Sequence, residues 1–223
     1  MKSPKLFGVT LALALGSAVA SAQVNTNSFT LNENQTVPDG SPIGLTLTTN
    51  LSGLGGSIMA ITLTLDITGG FNGDLYAYLA GPNGGLAILL NRVGVNGGSA
   101  FGYSDAGLNI TLSDGAPNGN IHDYQTVSGY AALLNGGLWA PDGRNIDSLS
   151  AGGLLAGAAT TSNFSVFGGA NPNGAWRLFV ADLSGGGTTT FNSATLTIIS
   201  VPEPSSLALI GAALAGLIVI RRR

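Results

Sequence analysis

Apolar and polar residues alternate along five stretches of the chain, which is the pattern of β-strands with one buried face. Isoleucine and leucine alternate with threonine and aspartate over residues 61–68, and leucine and alanine alternate with tyrosine over residues 75–79. The same period of two recurs over residues 108–112, 176–180 and 195–198. These stretches predict strands that contribute every second side chain to a common core.

Glycine, asparagine, aspartate and proline separate the alternating stretches, and no segment between residues 23 and 200 has the period of an amphipathic helix. We therefore predict an all-β fold, a jelly-roll-like β-sandwich of about eight or nine strands that forms one domain over residues 23–200. The stretch from Asn135 to Ala159 is mostly small and irregular, and we expect it to be a long surface excursion.

The composition excludes several classes of function. The 223 residues include no cysteine and one histidine, which excludes disulfides, thiolate metal sites and multi-histidine metal centres. Between Gln23 and Val201, three arginines stand against nine aspartates and one glutamate, so this stretch has a net charge of −7. A lysine-free acidic stretch offers no basic surface to nucleic acid, and we expect no nucleic-acid partner.

The first 22 residues have the three parts of a secretory signal peptide. Lys2 and Lys5 precede an apolar run over residues 6–15, and Ala20 and Ala22 supply the small residues that signal peptidase accepts. We predict that signal peptidase cleaves after Ala22 and that the mature chain is exported.

The last 23 residues form a second targeting segment. Its first four residues are Val201, Pro202, Glu203 and Pro204. Two prolines disfavour helix and strand pairing alike, so we expect these four residues to be extended and accessible to a processing enzyme. The apolar run that follows ends at Ile220, and the 17 residues from Pro204 would form a helix of about 25 Å, near the lower limit for a membrane span. Three arginines, expected on the cytoplasmic side, close the chain: Arg221, Arg222 and Arg223.

A Pro-Glu-Pro motif, a short apolar helix and an arginine cluster in this order resemble the PEP-CTERM sorting signal of Gram-negative bacteria. The resemblance implies a precursor anchored in the inner membrane and cleavage near residues 201–204 by an exosortase. It also implies a final location at the cell surface or in the extracellular matrix. The membrane contact is then transient or permanent, depending on whether the helix is removed.

A second resemblance covers most of residues 57–199. Gly73-Asp74-Leu75 is followed by the turn Pro82-Asn83-Gly84, and a later strand runs from Gly174 through Trp176 to Asp182. This order is similar to the P domain, or P/Homo B domain, that follows the catalytic domain of kexin- and furin-like proteases and forms a jelly-roll sandwich. The resemblance implies structural roles for the motif residues Gly73, Asp74, Leu75, Gly174, Trp176 and Asp182. The chain departs from the family at Gly84-Gly85, where the family usually has Gly-Thr, and it lacks the histidine that often precedes Gly-Asp-Leu.

Because P domains accompany serine proteases, a Ser-His-Asp triad has to be considered. His122 is the one available histidine base, and the chain contains no Gly-x-Ser-x-Gly motif. The family resemblance places the triad in a separate catalytic domain, for which this chain has no room. We expect His122 to lie in a polar loop with a local hydrogen bond, and we expect the protein not to be an enzyme.

Carboxylates offer two further kinds of chemistry. A pair could hydrolyse glycosides, but Asp39, Asp114 and Asp142 each precede glycine, a context in which the side chain serves the turn. Calcium is the one cofactor that the residues could bind, because hard cations take oxygen ligands. The candidate ligands are Asp74, Asp105 and Asp182, with Asp114 and Asp123 as further members of the set, and solvated turn aspartates are the alternative.

The aromatic residues could instead form a face that stacks on carbohydrate. The set comprises Trp139, Trp176, Tyr76, Tyr78, Tyr103, Tyr124 and Tyr130. Trp176 alternates with Arg177 and is expected in the core, whereas Tyr76 and Tyr78 lie opposite Leu75 and are the better surface candidates. A second layer over these tyrosines is the alternative.

The expected function is that of an exported, exosortase-sorted protein with a structural or adhesive role at the cell surface or in the extracellular matrix. Signal peptidase, exosortase and the inner membrane are the expected partners, and exopolysaccharide or surface glycans are candidate ligands. The alternative is an accessory P-domain module that works with a subtilisin-like serine endopeptidase or a glycan-active protein.

Overall fold

β-Strands are the main regular secondary structure of the residues that the structure, a computed structural model, describes, namely residues 23–202. Nine strands lie within these residues: β1 (Asn25–Thr36), β2 (Ser41–Leu51), β3 (Ser57–Gly69), β4 (Leu75–Ala80), β5 (Leu86–Asn91), β6 (Leu108–Ser113), β7 (Asn135–Trp139), β8 (Gly174–Asp182) and β9 (Thr189–Val201). The predictions for Ala20, Ala22, Glu203, Pro204, the C-terminal apolar run and Arg221 to Arg223 lie outside the described residues.

The strands form two sheets. The five-stranded sheet has the order β1-β9-β3-β6-β7, and the four-stranded sheet has the order β2-β8-β4-β5. All pairs are antiparallel except β6 with β7, which is parallel. The predicted all-β, two-layer architecture is therefore confirmed, and each of the five alternating stretches lies within a strand.

The core lies between the two sheets and consists of the apolar residues at every second strand position. Ile61, Leu63, Leu65 and Ile67 of β3 are buried, while the intervening Thr62 and Thr64 are half-buried on the other face. Trp176 of β8 is buried, as its alternation with Arg177 predicts, and its indole nitrogen donates to the carbonyl of Pro172 at 2.9 Å. Alternation thus fixes which face of each strand packs inward.

The outer face of the five-stranded sheet carries rows of hydroxyl groups. Across β1, β9, β3 and β6, one register row consists of Thr30, Thr195, Thr64 and Thr111. Thr30 and Thr195 lie 2.9 Å apart through their hydroxyls, and so do Thr64 and Thr111. These cross-strand pairs give the threonine hydroxyls hydrogen-bond partners within a row that carries no charge.

Helices are short within residues 23–202. They are α1 (Tyr130–Leu133), α2 (Gly152–Gly157) and three 3₁₀ segments, Asn72–Asp74, Ile121–Thr126 and Phe164–Phe167. Among these described residues, no helix is long and apolar enough to cross a membrane.

The expectation that residues 135–159 form a surface excursion is wrong for much of the segment. Its first five residues are strand β7, which extends the larger sheet, and Trp139 at the end of that strand is fully buried. Asp142 and Leu155 are also fully buried. Strand β7 contains two glycines and too few apolar residues for its alternation to be visible, so its strand character comes from pairing with β6.

Candidate functional site

The Gly-Asp-Leu segment forms one end of the sandwich, where β4 begins. A side chain at Gly73 would overlap the carbonyl oxygen of Phe101, because the loop around residues 101–103 packs directly on the Gly73 backbone. The Gly73 amide donates to the carbonyl of Tyr103 at 2.8 Å, and Leu75 is fully buried in the core. Glycine is therefore required here for close approach of two backbones.

Asp74 lies at the bottom of a pocket formed by these two segments and the turn after β8. Its side chain is 6% exposed, and Arg92 lies behind it, with Nη2 4.0 Å from Oδ1 of Asp74. Burial raises the pKa of Asp74, and a hydrogen bond from Ser184 opposes this increase. The structural role that the family resemblance implies for Asp74 stays a prediction, and the ion pair with Arg92 is long.

The pocket has a volume of about 370 Å³, within the usual range for small-molecule sites. We call it the Asp74 pocket, and its lining residues are Phe71, Asp74, Phe101, Gly102, Tyr103, Ser104, Ser184 and Gly185. Phe101 is 78% exposed and Phe71 is 41% exposed, so two apolar rings stand at its rim. A cleft of about 560 Å³, between Asp66 and Asn135, is larger but has no aromatic side chain in its wall.

Asp182 lies beside this end of the sandwich and is fully buried. Its Oδ2 accepts a hydrogen bond of 2.6 Å from the Thr189 hydroxyl, while its Oδ1 has no hydrogen-bond partner. Burial is the main reason that the pKa of Asp182 is raised, and the bond from Thr189 acts in the opposite direction.

The candidate calcium ligands do not form a three-carboxylate group. Asp74 and Asp182 are close enough to influence each other electrostatically. Asp105 instead accepts hydrogen bonds from the Tyr124 hydroxyl and the Gln125 amide, at 2.8 and 2.6 Å. Within residues 23–202, no three histidine, aspartate or glutamate side chains are arranged to hold a metal ion. Calcium binding that uses backbone carbonyls stays a prediction.

His122 is 1% exposed, so its expected place in a polar loop is wrong. Its Nδ1 lies 2.7 Å from Oδ2 of Asp142, and its Nε2 lies 3.1 Å from the carbonyl of Val95. Both partners are acceptors, so each ring nitrogen of His122 faces an acceptor oxygen in the interior. With both nitrogens engaged in the interior, His122 is not placed to take a proton from a bound substrate.

Asp142 connects His122 to the buried guanidinium of Arg144. Its Oδ1 lies 3.2 Å from Nη1 of Arg144, whose side chain is 8% exposed, and its Oδ2 also accepts from the amide of Asn91 at 3.1 Å. Arg144 reaches Asp123 as well, at 3.3 Å. We call Asp142, His122, Arg144 and Asp123 the Asp142 cluster.

The turn assignment for the three Asp-Gly pairs is correct for the backbone. Asp142 also makes the local turn contact, because its Oδ1 accepts from the backbone amide of Arg144 at 3.4 Å, whereas the carboxylates of Asp39 and Asp114 bind elsewhere. The glycines after Asp39, Asp114 and Asp142 all have positive φ, as tight turns require. The Asp39 carboxylate, however, accepts from the amide of Gly186, and Asp114 accepts from the amide of Phe164. Each carboxylate thus joins segments far apart in the chain.

The aromatic residues divide between the two predicted roles. Tyr103, Tyr124, Tyr130 and Trp139 pack together near the sandwich edge, with Tyr124 and Trp139 fully buried, so these residues do not form an open face. Tyr76 and Tyr78 are half-buried on the face opposite Leu75, as predicted. The ring of Tyr78 stacks on Phe179 at a centroid distance of 5.0 Å.

The first residue of the tetrapeptide 201–204, Val201, is paired in a strand, although strand pairing was not expected there. Val201 pairs with Ser57 as the last residue of the strand, and Pro202 follows directly. A side chain at Gly56 would overlap the carbonyl of Val201, so this backbone is tightly packed. Ser200 is fully buried and donates to the carbonyl of Gly55 at 2.9 Å.

Sequence reasoning missed Arg92, Phe101 and Arg144 as site residues. A usable signal existed for the two arginines, because they are two of only three basic residues between residues 23 and 201. In a domain with so few cations, an arginine is a strong candidate for a specific ion pair.

No curated protein matches the chain. The serine protease of Aeromonas sobria is similar in structure, with a TM-score of 0.44 and 14% identity over 82% of this chain and 28% of the protease chain. The same protease in complex with its chaperone gives a TM-score of 0.43 and 14% identity over 81% of this chain and 28% of that chain. The chain therefore spans between a quarter and a third of the length of the proteases it matches.

The family model that matches is the PEP-CTERM protein-sorting motif, over residues 200–223. The match begins at Ser200, inside β9, and continues through the Pro-Glu-Pro motif. The C-terminal segment is thus a PEP-CTERM sorting motif, which marks the chain as an exported protein that an exosortase sorts.

Proposed function

We propose that this protein is a surface or extracellular-matrix protein with a structural or adhesive role, displayed as a β-sandwich after its terminal segments are processed. In this proposal residues 1–22 are the signal peptide, residues 23–200 are the displayed domain, and residues 201–223 are the sorting signal. The sandwich is of the jelly-roll type and P-domain-like, and the apolar run of the sorting signal spans the inner membrane of a Gram-negative host.

The observation that carries the proposal is the direct continuation of β9 into the sorting motif. β9 is an interior strand of the larger sheet, between β1 and β3, and its last residue is adjacent to Pro202. Asn25, near the start of the displayed domain, pairs with Ser200. Both processing segments therefore join the domain at the same end, which leaves the opposite end free for contacts with the surroundings.

The packing of the family motif supports a P-domain-like fold. Gly73 is required by backbone approach, Leu75 and Trp176 are core residues, and Asp182 is fully buried. At Gly174, where φ is +123°, a side chain would lie 2.7 Å from the Cβ of Pro82. The close packing at the two glycines and the burial of Leu75 and Trp176 support a structural role for these motif residues.

Processing is tested by the mass of the mature C-terminus. In an exosortase-positive host, we expect mass spectrometry of the released protein to find cleavage near residues 201–204 and loss of Arg221 to Arg223. In a matched host without exosortase, the arginines should stay on the chain. An intact arginine terminus on most molecules in the first host would refute the sorting proposal.

The non-enzyme proposal is tested with the same mature protein. We expect no turnover of peptide or ester substrates, because both ring nitrogens of His122 are held by Asp142 and Val95. Peptide cleavage that disappears in His122→Ala, while the variant keeps the wild-type circular dichroism spectrum, would overturn it. The accessory alternative predicts instead a subtilisin-like partner that co-purifies with the mature protein and whose activity the protein increases.

A further inference from the structure

We propose that the Asp74 pocket binds a neutral saccharide unit of a polysaccharide chain. This inference rests on the proposed adhesive role and supplies the ligand class for it. It concerns a site distinct from the half-exposed Tyr76 and Tyr78 face.

The rim of the pocket has the apolar surface that a sugar ring can stack on. Phe101 exposes 78% of its surface at the tip of its loop, and Phe71 exposes 41%. A single exposed apolar side chain is ordinary on a protein surface, but here two partly exposed aromatic rings line the same pocket. The C–H groups of a pyranose ring carry partial positive charge and can pack against the negative face of such a ring.

The floor of the pocket has hydrogen-bonding groups that suit hydroxyl ligands. The Asp74 carboxylate is a strong acceptor, and the exposed Ser104 adds a hydroxyl that can donate and accept, while the Ser184 hydroxyl accepts from Arg92 at 3.4 Å. An apolar wall with a small number of polar groups at fixed positions is the usual composition of a small-molecule site.

The charge at the floor favours a neutral ligand over a cationic one. Arg92, 9% exposed, lies behind Asp74 and is held by the carbonyl of Gly73 at 3.3 Å and by the Ser184 hydroxyl at 3.4 Å. An ammonium or guanidinium group from a partner would meet this fixed cation. Burial, rather than the neighbouring charges, is also the largest cause of the raised pKa of Asp74.

The position of the pocket fits a ligand outside the cell. Ser184 and Gly185 belong to the turn between β8 and β9, so the pocket is at the end of the sandwich where β9 begins. The 13 residues of β9 separate this end from Val201, a length of about 40 Å at about 3.4 Å per residue. The pocket therefore faces away from the end that continues into the sorting motif.

The test measures binding of the mature protein, purified from an exosortase-positive host, to an array of defined neutral hexose and N-acetylhexosamine oligosaccharides. Phe101→Ala should weaken binding at least tenfold, and Phe101→Trp, which keeps an aromatic face, should restore it. Ile43→Ala is the matched control, because Ile43 is 80% exposed and lies outside the pocket, and it should bind like the wild type. Asp74→Asn should also weaken binding, with circular dichroism used to verify the fold.

The cationic alternative is tested with oligolysine and oligoarginine peptides on the same array. Binding of a neutral saccharide should be nearly unchanged between about 0.1 and about 0.5 M salt, where the screening length is about 10 Å or shorter, whereas binding of the cationic peptides to carboxylates should decrease. The proposal is overturned if the wild type binds no oligosaccharide, if Phe101→Ala binds like the wild type, or if only the peptides bind. Phe101→Ala should be sorted and cleaved normally, so failure of this inference is distinguishable from failure of the sorting proposal.

Discussion

Substitution of Asp142 by asparagine should strongly destabilise the domain. The change keeps the size of the side chain and removes one negative charge from the Asp142 cluster. It also replaces one acceptor oxygen by an NH₂ donor, which would face either His122 or Arg144, both donors. The perturbation is therefore electrostatic, with little change in packing.

The expected loss follows from the burial of the three groups. The side chains of Asp142 and His122 are 0% and 1% exposed, and that of Arg144 is 8% exposed. Removal of one partner from a buried ion pair costs about 3–5 kcal/mol, because the remaining charge is left uncompensated. Asp123 stays beside Arg144, but its side chain is 53% exposed and does not reach His122 within hydrogen-bonding distance. A loss of about 3–5 kcal/mol is a large part of the about 5–15 kcal/mol that stabilises a typical domain.

Urea unfolding followed by tryptophan fluorescence measures the effect, since Trp139 and Trp176 are both buried in the folded domain. With a slope of about 2 kcal/mol per M, the midpoint should fall by about 2 M. The matched control is Asp147→Asn at an exposed position in the following loop, which should change stability by less than about 0.5 kcal/mol. A loss at Asp142 of less than about 1 kcal/mol, or equal to that of the control, would refute the reasoning that the cluster is charged and desolvated.

Two further predictions concern the buried Asp182, which pairs with Leu75 at the start of β4, and the register shift in β2 between Ser41 and Leu45. Asp182 has a raised pKa in the folded state, so its contribution to stability is fully present below pH 3.8 and is lost as the pH rises through the folded pKa. The unfolding free energy of the wild type, relative to that of Asp182→Asn, should therefore increase as the pH is lowered from 7 to 4. A difference between the two proteins that stays constant with pH would contradict this. Gly44 and Gly53 both have positive φ, but a side chain at Gly44 would overlap the carbonyl of Val180, whereas Gly53 has no neighbour within 4 Å. Gly44→Ala should therefore lower the melting temperature clearly more than Gly53→Ala, where only the backbone strain of about 1–2 kcal/mol applies; equal effects would show that the bulge can relax.

The sequence predicts the interior strands well, because burial on one face makes every second residue apolar. Leu63 and Leu65 of β3 illustrate this pattern, since both are buried and each lies between two polar residues. In edge strands the alternation of apolar and polar residues is weaker. β1 is half-exposed along its length, and its polar residues outnumber its apolar ones. β7 is recognisable only from its pairing with β6.

The candidate sites were harder to predict because their residues meet across long sequence separations. Asp74 lines a pocket whose other walls come from residues near 101 and 184, and no local pattern connects these segments. Asp142 was assigned to a turn, since Asp-Gly is a turn dipeptide, and the turn is present. Its carboxylate nevertheless lies in the interior, because His122 and Arg144 provide charges that only the fold brings together.

The direct passage from β9 to Pro202 has a mechanical consequence. If the sorting segment holds one end of the domain while a ligand pulls at the opposite end, the load runs along β9 and acts in shear on both of its neighbours, β1 and β3. In shear, the hydrogen bonds along two ladders bear the force together, whereas a force that separates Asn25 from Ser200 would open the β1–β9 ladder one pair at a time. The domain is therefore expected to resist tension along β9 far better than tension applied between Asn25 and Ser200.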